Sequence, residues 1–269
     1  MPVALDADRI ASLLTTARYG RSLDVRASTG STNDDAREAA AEGAARGHVV
    51  VADAQEQGRG SHGRAWSSPA GVDLYLSIVE RVTLAPSSIS TLTLAVGLGV
   101  TDAIAILAPA LASRVRVKWP NDAWIVGGAD RKKTAGVLVE SSSSGAQQGP
   151  MIVGIGLGVN RLAWPDELAD QATSLLDASR VLEPSCAAFD RNVVIAQLLL
   201  NVERAVDALV RDGVPATLRR LDERLALRGE EVEIDGVRGR LVGLDDRGAL
   251  RIATTEGERV VLSGTLRPA

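Results

Sequence analysis

Apolar side chains recur at helical spacing in several separate stretches of the chain. Ile10, Leu13 and Leu14 share one face of a first predicted helix. A second helix is predicted from Ser31, where three residues able to cap a helix precede an alanine-rich stretch. The same spacing predicts helices at residues 6–17, 31–45, 86–108, 187–211 and 214–224.

Short apolar runs bounded by turn residues predict the strands of one sheet. A Gly- and Arg-rich loop at residues 55–66 separates the first two of these runs. The serine-rich residues 141–149 are predicted to form a flexible hairpin loop with no chemistry of its own. The predicted strands occupy residues 49–51, 73–79, 115–118, 124–126, 136–140 and 151–159.

The pattern changes after Arg228 to short alternating strands separated by turn signals such as Asp235-Gly236. About 40 residues of this kind form a small barrel, and one so small depends on a larger neighbour for stability. We therefore predict an α+β protein with one domain at residues 1–225 and a second at residues 226–269. The barrel strands are predicted at residues 231–234, 240–243, 249–253 and 259–262.

Composition narrows the class of protein. Hydrophobic residues make up 45% of the 269 residues and charged residues 24%, which is typical of a soluble globular protein. A formal net charge of −4 argues against an overall basic surface for nucleic acid or anionic lipid. The single cysteine, Cys186, excludes an internal disulfide and suits a reducing compartment. With no signal-like start and no uninterrupted apolar run of membrane-spanning length, we expect a cytoplasmic protein without a membrane partner.

The few lysines of the chain are confined to one short stretch. Only three of the 30 Lys and Arg residues are lysines, namely Lys118, Lys132 and Lys133. A chain that otherwise uses arginine for its surface cations keeps lysine where a compact ammonium is needed. The alternative is a solvated turn, and Lys132 fits that alternative best.

Residues 58–63 read G-R-G-S-H-G and match the dinucleotide-binding pattern GxGxxG. That fingerprint requires a helix directly after the loop, because the helix N-terminus holds the pyrophosphate. Residues 64–71 contain helix breakers and show no helical period, which argues against a Rossmann site. The glycines, with Arg59 and Arg64, instead indicate a mobile loop that closes over an anion. A flexible hairpin tip with solvated arginines is the alternative.

Five ordered motifs together resemble those of biotin protein ligase. The resemblance extends from about residue 5 to the C-terminus, and agreement in order and spacing makes it very specific. The motifs are S-T-N at 31–33, Gln55 with G-R-G-S-H-G-R-A-W at 58–66, K-W-P-N-D at 118–122, K-T-A-G-V-L-V-E at 133–140 and G-I-G-L-G-V-N at 154–160.

This resemblance implies a reaction in two steps that uses ATP, biotin and Mg²⁺. The biotin carboxylate and ATP form biotinyl-5′-AMP with release of pyrophosphate, and biotinyl then passes to a lysine of a biotin carboxyl carrier domain. Both steps move negative charge, so cations must offset the repulsion. An enzyme nucleophile is not required, because the adenylate is itself the activated acyl donor.

By resemblance, short polar side chains and the loop backbone hold the ureido ring of biotin. Lys133 is expected to bridge the biotin carboxylate and the α-phosphate as a point charge. Helix capping by residues 31–33 is compatible with this role. The implied biotin-binding residues are Ser31, Thr32, Asn33, Gln55, Arg59, Gly60, Ser61 and Lys133.

The resemblance also implies residues for ATP and for catalysis. Asp122 is expected to organise the incoming lysine or Mg²⁺, and no fixed protein ligand set for the metal is expected. For Lys118 the alternative is an ion pair within the fold, for Asn160 a turn residue, and for Arg267 a solvated tail. The implied ATP-binding residues are Arg59, Arg64, Trp66, Asn160 and Arg267, and the implied catalytic residues are Lys133, Arg64, Asp122 and Lys118.

The fold implied is a mixed β-sheet with packed helices, like the class II aminoacyl-tRNA synthetase catalytic core, followed by an SH3-like barrel. Relatives that repress transcription carry an N-terminal helix-turn-helix domain, and the short stretch before Ser31 suggests the monofunctional type. We expect a monomer or homodimer that does not bind nucleic acid. Three alternatives are a lipoate or octanoate ligase of the related fold, a biotin-sensing DNA-binding regulator and a non-enzymatic biotin-binding module.

One position departs from the family pattern, which commonly reads GRGRxGR where this chain has Ser61 in place of the second Arg. Loss of a guanidinium is expected to loosen the loop over the reactive adenylate, although a protonated His62 could restore part of the charge. The alternative is that neighbouring residues close the loop equally well.

Overall fold

The computed structural model describes residues 3–84, 89–128, 130–144 and 147–269. Its helices lie mostly where the apolar spacing predicts them. They are α1 (Ala7–Leu13), α2 (Thr32–Ala41), α3 (Ile89–Leu107), α4 (Asp166–Ala169), α5 (Leu175–Leu182) and α6 (Arg191–Glu223).

The strands of the larger part of the chain are β1 (Leu23–Arg26), β2 (Val49–Ala52), β3 (Leu74–Glu80), β4 (Val115–Lys118), β5 (Asp122–Gly127), β6 (Asp130–Ser144) and β7 (Gln147–Leu157). Those of the C-terminal part are β8 (Glu231–Ile234), β9 (Val237–Leu244), β10 (Leu250–Thr254), β11 (Gly257–Val261) and β12 (Arg267–Pro268).

These strands form two sheets. The first has the order β1-β2-β3-β7-β6-β5-β4, in which β1 and β2 are parallel and the other neighbours antiparallel. The second is antiparallel throughout, with the order β11-β10-β9-β8-β12. A mixed sheet with packed helices and a small C-terminal β-unit confirms the predicted α+β class, and the second sheet is consistent with an SH3-like domain.

The long apolar helix α3 packs along α6 and against the sheet. By length and composition alone it could also cross a membrane, because residues Ser90–Leu107 have a mean hydropathy of 1.7. Of this window, 67% is buried inside the protein, as in the core helix of a soluble protein. Composition therefore gives only weak support for a membrane span here.

Helix α6 contains the junction that the sequence predicts between two helices. Gly213 has φ 80° and ψ 174°, values that interrupt the helix and suit a residue without a Cβ. Pro215 follows at the start of the second segment, where its missing N–H costs no helical hydrogen bond. The predicted break between residues 211 and 214 therefore coincides with a kink.

The C-terminal sheet shares a hydrophobic core with the rest of the chain. Val117 and Trp119 pack in the same buried cluster as Val232, Leu241 and Ile252. The indole Nε1–H of Trp119 donates to the carbonyl of Gly248 at 2.9 Å. The expected dependence of the small β-unit on the larger one thus has a direct basis, while the boundary between residues 225 and 226 stays a prediction.

Two local predictions are wrong. The serine-rich segment is mostly strand, because Ser143 pairs with Gln148 and Ser144 with Gln147, while residues 145 and 146 lie outside the described part. Strand β6 also begins at Asp130 rather than 136, because its first residues pair with β5, Trp124 opposite Lys133. Lys133 therefore lies within β6, three positions before the predicted start of that strand. The sequence pattern also missed β1, α4, α5 and β12.

Candidate active site

A cleft of about 480 Å³, counted with its open mouth, lies over β3, β7 and β6. The N-terminus of α2 forms one wall, and the loop between β2 and β3 forms another. Nine residues expected from the sequence line it: Ser31, Thr32, Asn33, Gln55, Arg59, Gly60, Ser61, Trp66 and Lys133. The fold thus brings together residues that lie about a hundred positions apart in the chain.

Gln55 caps helix α2 in place of the usual N-cap side chain. Ser31 occupies the N-cap position, but its hydroxyl makes no capping hydrogen bond. Instead Gln55 Oε1 accepts from the Thr32 N–H at 2.9 Å and from the Thr32 hydroxyl at 3.1 Å. Gln55 Nε2 donates to Ser68 Oγ at 3.0 Å. This arrangement fixes Gln55 and leaves the Ser31 hydroxyl available to a ligand in the cleft.

Asn33 is held between β3 and β6. The Ser77 hydroxyl donates to Asn33 Oδ1 at 2.6 Å, and Asn33 Nδ2 donates to Glu140 Oε2 at 2.6 Å. A Cβ added to Gly154 would overlap Asn33 Oδ1, so only glycine fits beneath this amide. The neutral end of the cleft is therefore a connected and tightly packed polar network.

Trp66 lies on a floor made of glycines. A Cβ added to Gly156 would overlap its indole ring, and one added to Gly136 would lie 2.9 Å from Trp66 Cζ3. Lys133 Nζ lies 4.9 Å from the centroid of a Trp66 ring, within cation–π range. The glycines of β6 and β7 thus give the indole and the ammonium room to lie together against the sheet.

A cluster of charges lies at the other end of the cleft. Asp122 is buried, and its carboxylate lies 2.7 Å from Lys133 Nζ and 3.9 Å from Lys118 Nζ. Lys118 is also buried, and this burial lowers its pKa. Asp122 opposes that shift, whereas the positive charges of Lys133, Arg64 and Arg267 lower the pKa further. Three further cations therefore lie within electrostatic reach of Lys118, and two lysines, Lys118 and Lys133, flank the Asp122 carboxylate.

The arginines of the loop are held by local partners. Arg59 forms a two-pronged ion pair with Asp34 of α2, with both nitrogen–oxygen distances at 2.6 Å. These bonds, with help from Arg37, lower the pKa of the Asp34 carboxyl to about 2. Arg64 NH2 donates to the Ser61 hydroxyl at 3.1 Å. Ser61 thus orients Arg64 in this structure, although it lacks the charge that the family pattern has there.

The loop does not lead into the helix of a dinucleotide-binding site. Residues Ser61–Gly63 form one turn of 3-10 helix, and no α-helix follows, because residues 64–69 are non-helical and residues 70–72 form a turn before β3. A Rossmann arrangement is therefore excluded for this segment. The side chain of His62 lies outside the described part of the structure.

Three of the five residues expected at the ATP site, Arg64, Asn160 and Arg267, lie apart from the cleft lining. The Asn160 amide is engaged by the backbone of Phe189, with Nδ2 donating to its carbonyl and Oδ1 accepting from its N–H, both at 2.9 Å. Arg267 is exposed in β12, opposite Glu233 of β8. The ATP roles of these three residues stay predictions.

The sequence pattern missed several residues that shape the site. Tyr75 and Asn121 line the cleft, and Ser77 and Glu140 hold Asn33. Each could have been suspected only from its setting. Ser77 is a polar residue inside an apolar strand, and Glu140 ends the K-T-A-G-V-L-V-E motif.

Comparison with known proteins agrees with this geometry. Residues 26–160 match the sequence model of the Biotin/lipoate A/B protein ligase family. The chain is 36% identical over 250 residues to the biotin--[acetyl-CoA-carboxylase] ligase of Mycobacterium tuberculosis, covering 90% of this chain and 87% of that protein. The corresponding ligase of Paracoccus denitrificans is 32% identical, covering 87% of this chain and 95% of that protein.

Among solved structures, the biotin protein ligase of Aquifex aeolicus in complex with biotin and ATP is similar with a TM-score of 0.76 and 29% identity. The match covers 93% of this chain and 100% of the Aquifex aeolicus chain. Sequence and fold therefore agree over nearly the whole length, and the chain belongs to the biotin/lipoate A/B protein ligase family, within which it is a biotin protein ligase.

Proposed function

We propose that this protein joins biotin to ATP, forming biotinyl-5′-AMP, and then transfers the biotinyl group to a lysine of a biotin carboxyl carrier domain. This is the activity of a biotin–[biotin carboxyl carrier protein] ligase. The observation that carries the proposal is a single cleft with a neutral polar network at one end and a cluster of cations at the other. Biotin has the matching polarity, with a ureido ring at one end and a carboxylate at the other.

In the first step, an oxygen of the biotin carboxylate attacks the α-phosphorus of ATP, and pyrophosphate leaves. Two negatively charged groups must approach each other, so a cation between them lowers the barrier. Lys133 lies in the cleft lining and carries a compact ammonium. In this proposal it exchanges Asp122 for the biotin carboxylate and the α-phosphate.

In the second step, the carrier lysine amine attacks the acyl carbon of the adenylate, and AMP leaves. An ammonium cannot attack, so the amine must first lose a proton. Asp122 is the carboxylate placed to receive the incoming amine once Lys133 has turned to the phosphate. Lys118, with its lowered pKa, lies beside Asp122 and balances the charge of that carboxylate.

Mg²⁺ is proposed to arrive with the phosphates of ATP. Asp122 does not fit as its ligand in this arrangement, because Lys133 and Lys118 already surround the carboxylate. Residues 3–84, 89–128, 130–144 and 147–269 contain no group of three or more His, Cys, Asp or Glu side chains suited to a metal. We assign no step of the reaction to a protein-bound metal.

The loop residues Arg59 and Arg64 are proposed to contact the phosphates after leaving Asp34 and Ser61. Trp66, Asn160 and Arg267 complete the proposed ATP site. Trp66 would contact ATP either after leaving the glycines beneath it or by stacking from its present position. Asn160 would exchange its contacts with Phe189 for contacts with ATP. We further propose a cytoplasmic monomer or homodimer whose macromolecular partner is the carrier domain and not a nucleic acid or membrane.

A lipoate or octanoate ligase of the same family is the second candidate. Its site has to accept a plain acyl chain, which offers no hydrogen-bonding partner for the Ser31 hydroxyl. Leaving such a buried polar group unpaired costs about 1–3 kcal/mol. The polar network therefore favours the ureido ring over an acyl chain.

Mass spectrometry of a biotin carboxyl carrier domain tests the proposal. The domain is incubated with this protein, biotin, ATP and Mg²⁺, and each component is omitted in turn. We expect a mass increase of one biotinyl group only in the complete mixture. Modification by octanoate or lipoate in place of biotin would support the second candidate, and binding of biotin without transfer would support a non-enzymatic module.

A further inference from the structure

Glu140 is the acidic residue that accepts a hydrogen bond from Asn33. Its carboxylate oxygen Oε2 accepts from Asn33 Nδ2 at 2.6 Å and from Arg37 NH2 at 2.9 Å. Because two donors share this oxygen, it acts as an acceptor. Glu140 is therefore hydrogen-bonded to the cleft lining through Asn33, at the opposite end of that amide from Ser77.

This contact determines which way the Asn33 amide faces. An amide has a donor end and an acceptor end of nearly equal size, so a symmetric setting would tolerate either orientation. A carboxylate that accepts can face only the NH2 group. The one hydrogen of the Ser77 hydroxyl has two acceptors in reach, Asn33 Oδ1 at 2.6 Å and Thr32 Oγ1 at 2.8 Å, and its donation to the nearer Oδ1 agrees with the same orientation.

The orientation has a consequence for recognition. A carbonyl oxygen has two lone pairs, and Ser77 uses one of those on Asn33 Oδ1. The other is left for a ligand in the cleft that Asn33 lines. An acceptor at this position selects a ligand that offers an N–H or O–H.

We propose that Glu140 is a positioning residue for ligand selectivity, which fixes the Asn33 amide so that the cleft offers an acceptor to a ring N–H of the substrate. The inference rests on the proposed function and deepens it. It assigns to one partly buried contact the preference for a ureido ring over rings that lack an N–H at that position.

The test uses the whole protein and compares biotin with the two biotins that carry a methyl group on one or the other ureido nitrogen. Dissociation constants are measured by calorimetry for the wild type and for Glu140→Gln. Glutamine has the size of glutamate but can face Asn33 with either end of its amide. We expect biotin binding to weaken about tenfold, the effect of one lost hydrogen bond.

The informative quantity is the ratio of dissociation constants, methylated analogue over biotin. For the nitrogen that faces Asn33, this ratio should fall about tenfold in Glu140→Gln, because the analogue never made the bond. A general loosening of the cleft would weaken both ligands and leave the ratio unchanged. An unchanged ratio for both analogues would overturn the inference.

Arg37→Gln is the matched control, because it removes the other donor to Glu140 and leaves Asn33 untouched. We expect its ratio to stay within about twofold of the wild type, since an exposed ion pair contributes little. A fall in the ratio as large as that in Glu140→Gln would assign the effect to the ion pair between Arg37 and Glu140, and would contradict the inference.

Two further measurements decide the remaining outcomes. Asn33→Ser should lower the ratio of dissociation constants as much as Glu140→Gln does. The double variant should lower it no further, because both changes remove the same hydrogen bond. If the Gln variant does not melt cooperatively, Glu140→Asp replaces it. Glu140→Asp keeps a carboxylate acceptor, so a tenfold fall in its ratio of dissociation constants would also contradict the inference. A wild type that fails to bind biotin would count against the proposed function instead.

Discussion

The two ends of the cleft are built by different means. At the neutral end, Asn33 and Gln55 are held by uncharged groups and one carboxylate, and glycine lies beneath the Asn33 amide. At the charged end, Lys133 rests on Asp122, whereas the loop arginine Arg59 pairs with Asp34, which follows Asn33 on α2. The neutral end holds its hydrogen-bonding groups in place without a ligand. At the charged end, the cation is instead paired with a carboxylate of the protein itself.

The difference follows from the cost of burying each kind of group. A neutral hydrogen-bonding group can be held in place by its neighbours and still offer a free lone pair or hydroxyl to a ligand. A half-buried ammonium needs a counter-charge, because an unpaired charge away from water is strongly unfavourable. In the proposed reaction the cations therefore exchange partners when ATP binds, and the neutral groups need not.

Replacing Lys133 by Ala should break the charged end. Biotinyl-5′-AMP formation should fall at least ten- to a hundredfold, because a charge-assisted bond contributes about 1.5–3 kcal/mol. Lys133→Arg should also fail substantially, since a bulky planar fork does not replace a compact point charge. Pyrophosphate release measures the step, and a near wild-type rate in a folded variant would contradict the role of Lys133.

Gly154→Ala should break the neutral end alone. The added methyl group would overlap Asn33 Oδ1, so we expect biotin binding to weaken about tenfold or more, with ATP binding less affected. Calorimetry with each ligand measures the two affinities. Gly97→Ala is the control, because its Cβ would lie 3.6 Å from Val117 Cγ1, an ordinary contact. Equal weakening of both ligands would show that the two ends are not independent.

Lys118→Met should separate stability from activity at the charged end. Burial, the largest cause, lowers the Lys118 pKa in the folded protein, so the charged form costs stability at every pH below that folded value. The cost disappears as the pH rises towards the unfolded value. At neutral pH we expect Lys118→Met to raise the melting temperature by about 2–4 °C, equivalent to about 1 kcal/mol, and to slow the reaction several-fold.

Thermal melts between pH 7 and 10 check this prediction, and the gap between wild type and Lys118→Met should close as the pH rises. Lys132→Met is the control, because Lys132 donates to the carbonyl of Ala169 at an exposed position. A lower melting temperature for Lys118→Met at pH 7 would mean that the pairing with Asp122 outweighs the burial.

Ser61→Arg changes the loop over the cleft, and we expect it to have the smallest effect of these substitutions. An added guanidinium gives the loop a further cation to hold the adenylate, so we expect a few-fold less biotinylation of a lysine-rich bystander protein. Ser61→Ala is the matched control, because it removes the hydroxyl that orients Arg64 without adding charge. Equal bystander labelling by wild type and Ser61→Arg, at equal adenylate synthesis, would show that neighbouring residues close the loop equally well.

Local patterns predicted most of the elements that carry the site. Apolar runs located β2 and β3, and the capping residues at Ser31 located the start of α2. The segments predicted wrongly depend on pairing with distant parts of the chain. Residues Ser141–Ser144 are strand only because β7 lies beside them, and serine has no strong preference that would announce this.

The motifs predicted the members of the cleft, but not the contacts among them. Gln55 was expected to bind a ligand, and it also caps α2. Asn160 was expected at ATP, and its amide is engaged by Phe189. Such contacts depend on the relative placement of whole elements, which side-chain chemistry alone does not specify.

The sequence by itself determined the element types, the family and the kinds of chemistry present, because periodicity and short motifs are local properties of a chain. Only the tertiary structure decided which acid holds each cation and which way the Asn33 amide faces. Asn33 and Glu140 are 107 positions apart, and they meet because β6 and β3 lie in one sheet beneath α2. A hydrogen bond has a direction and a reach of about 3 Å, so packing must set both.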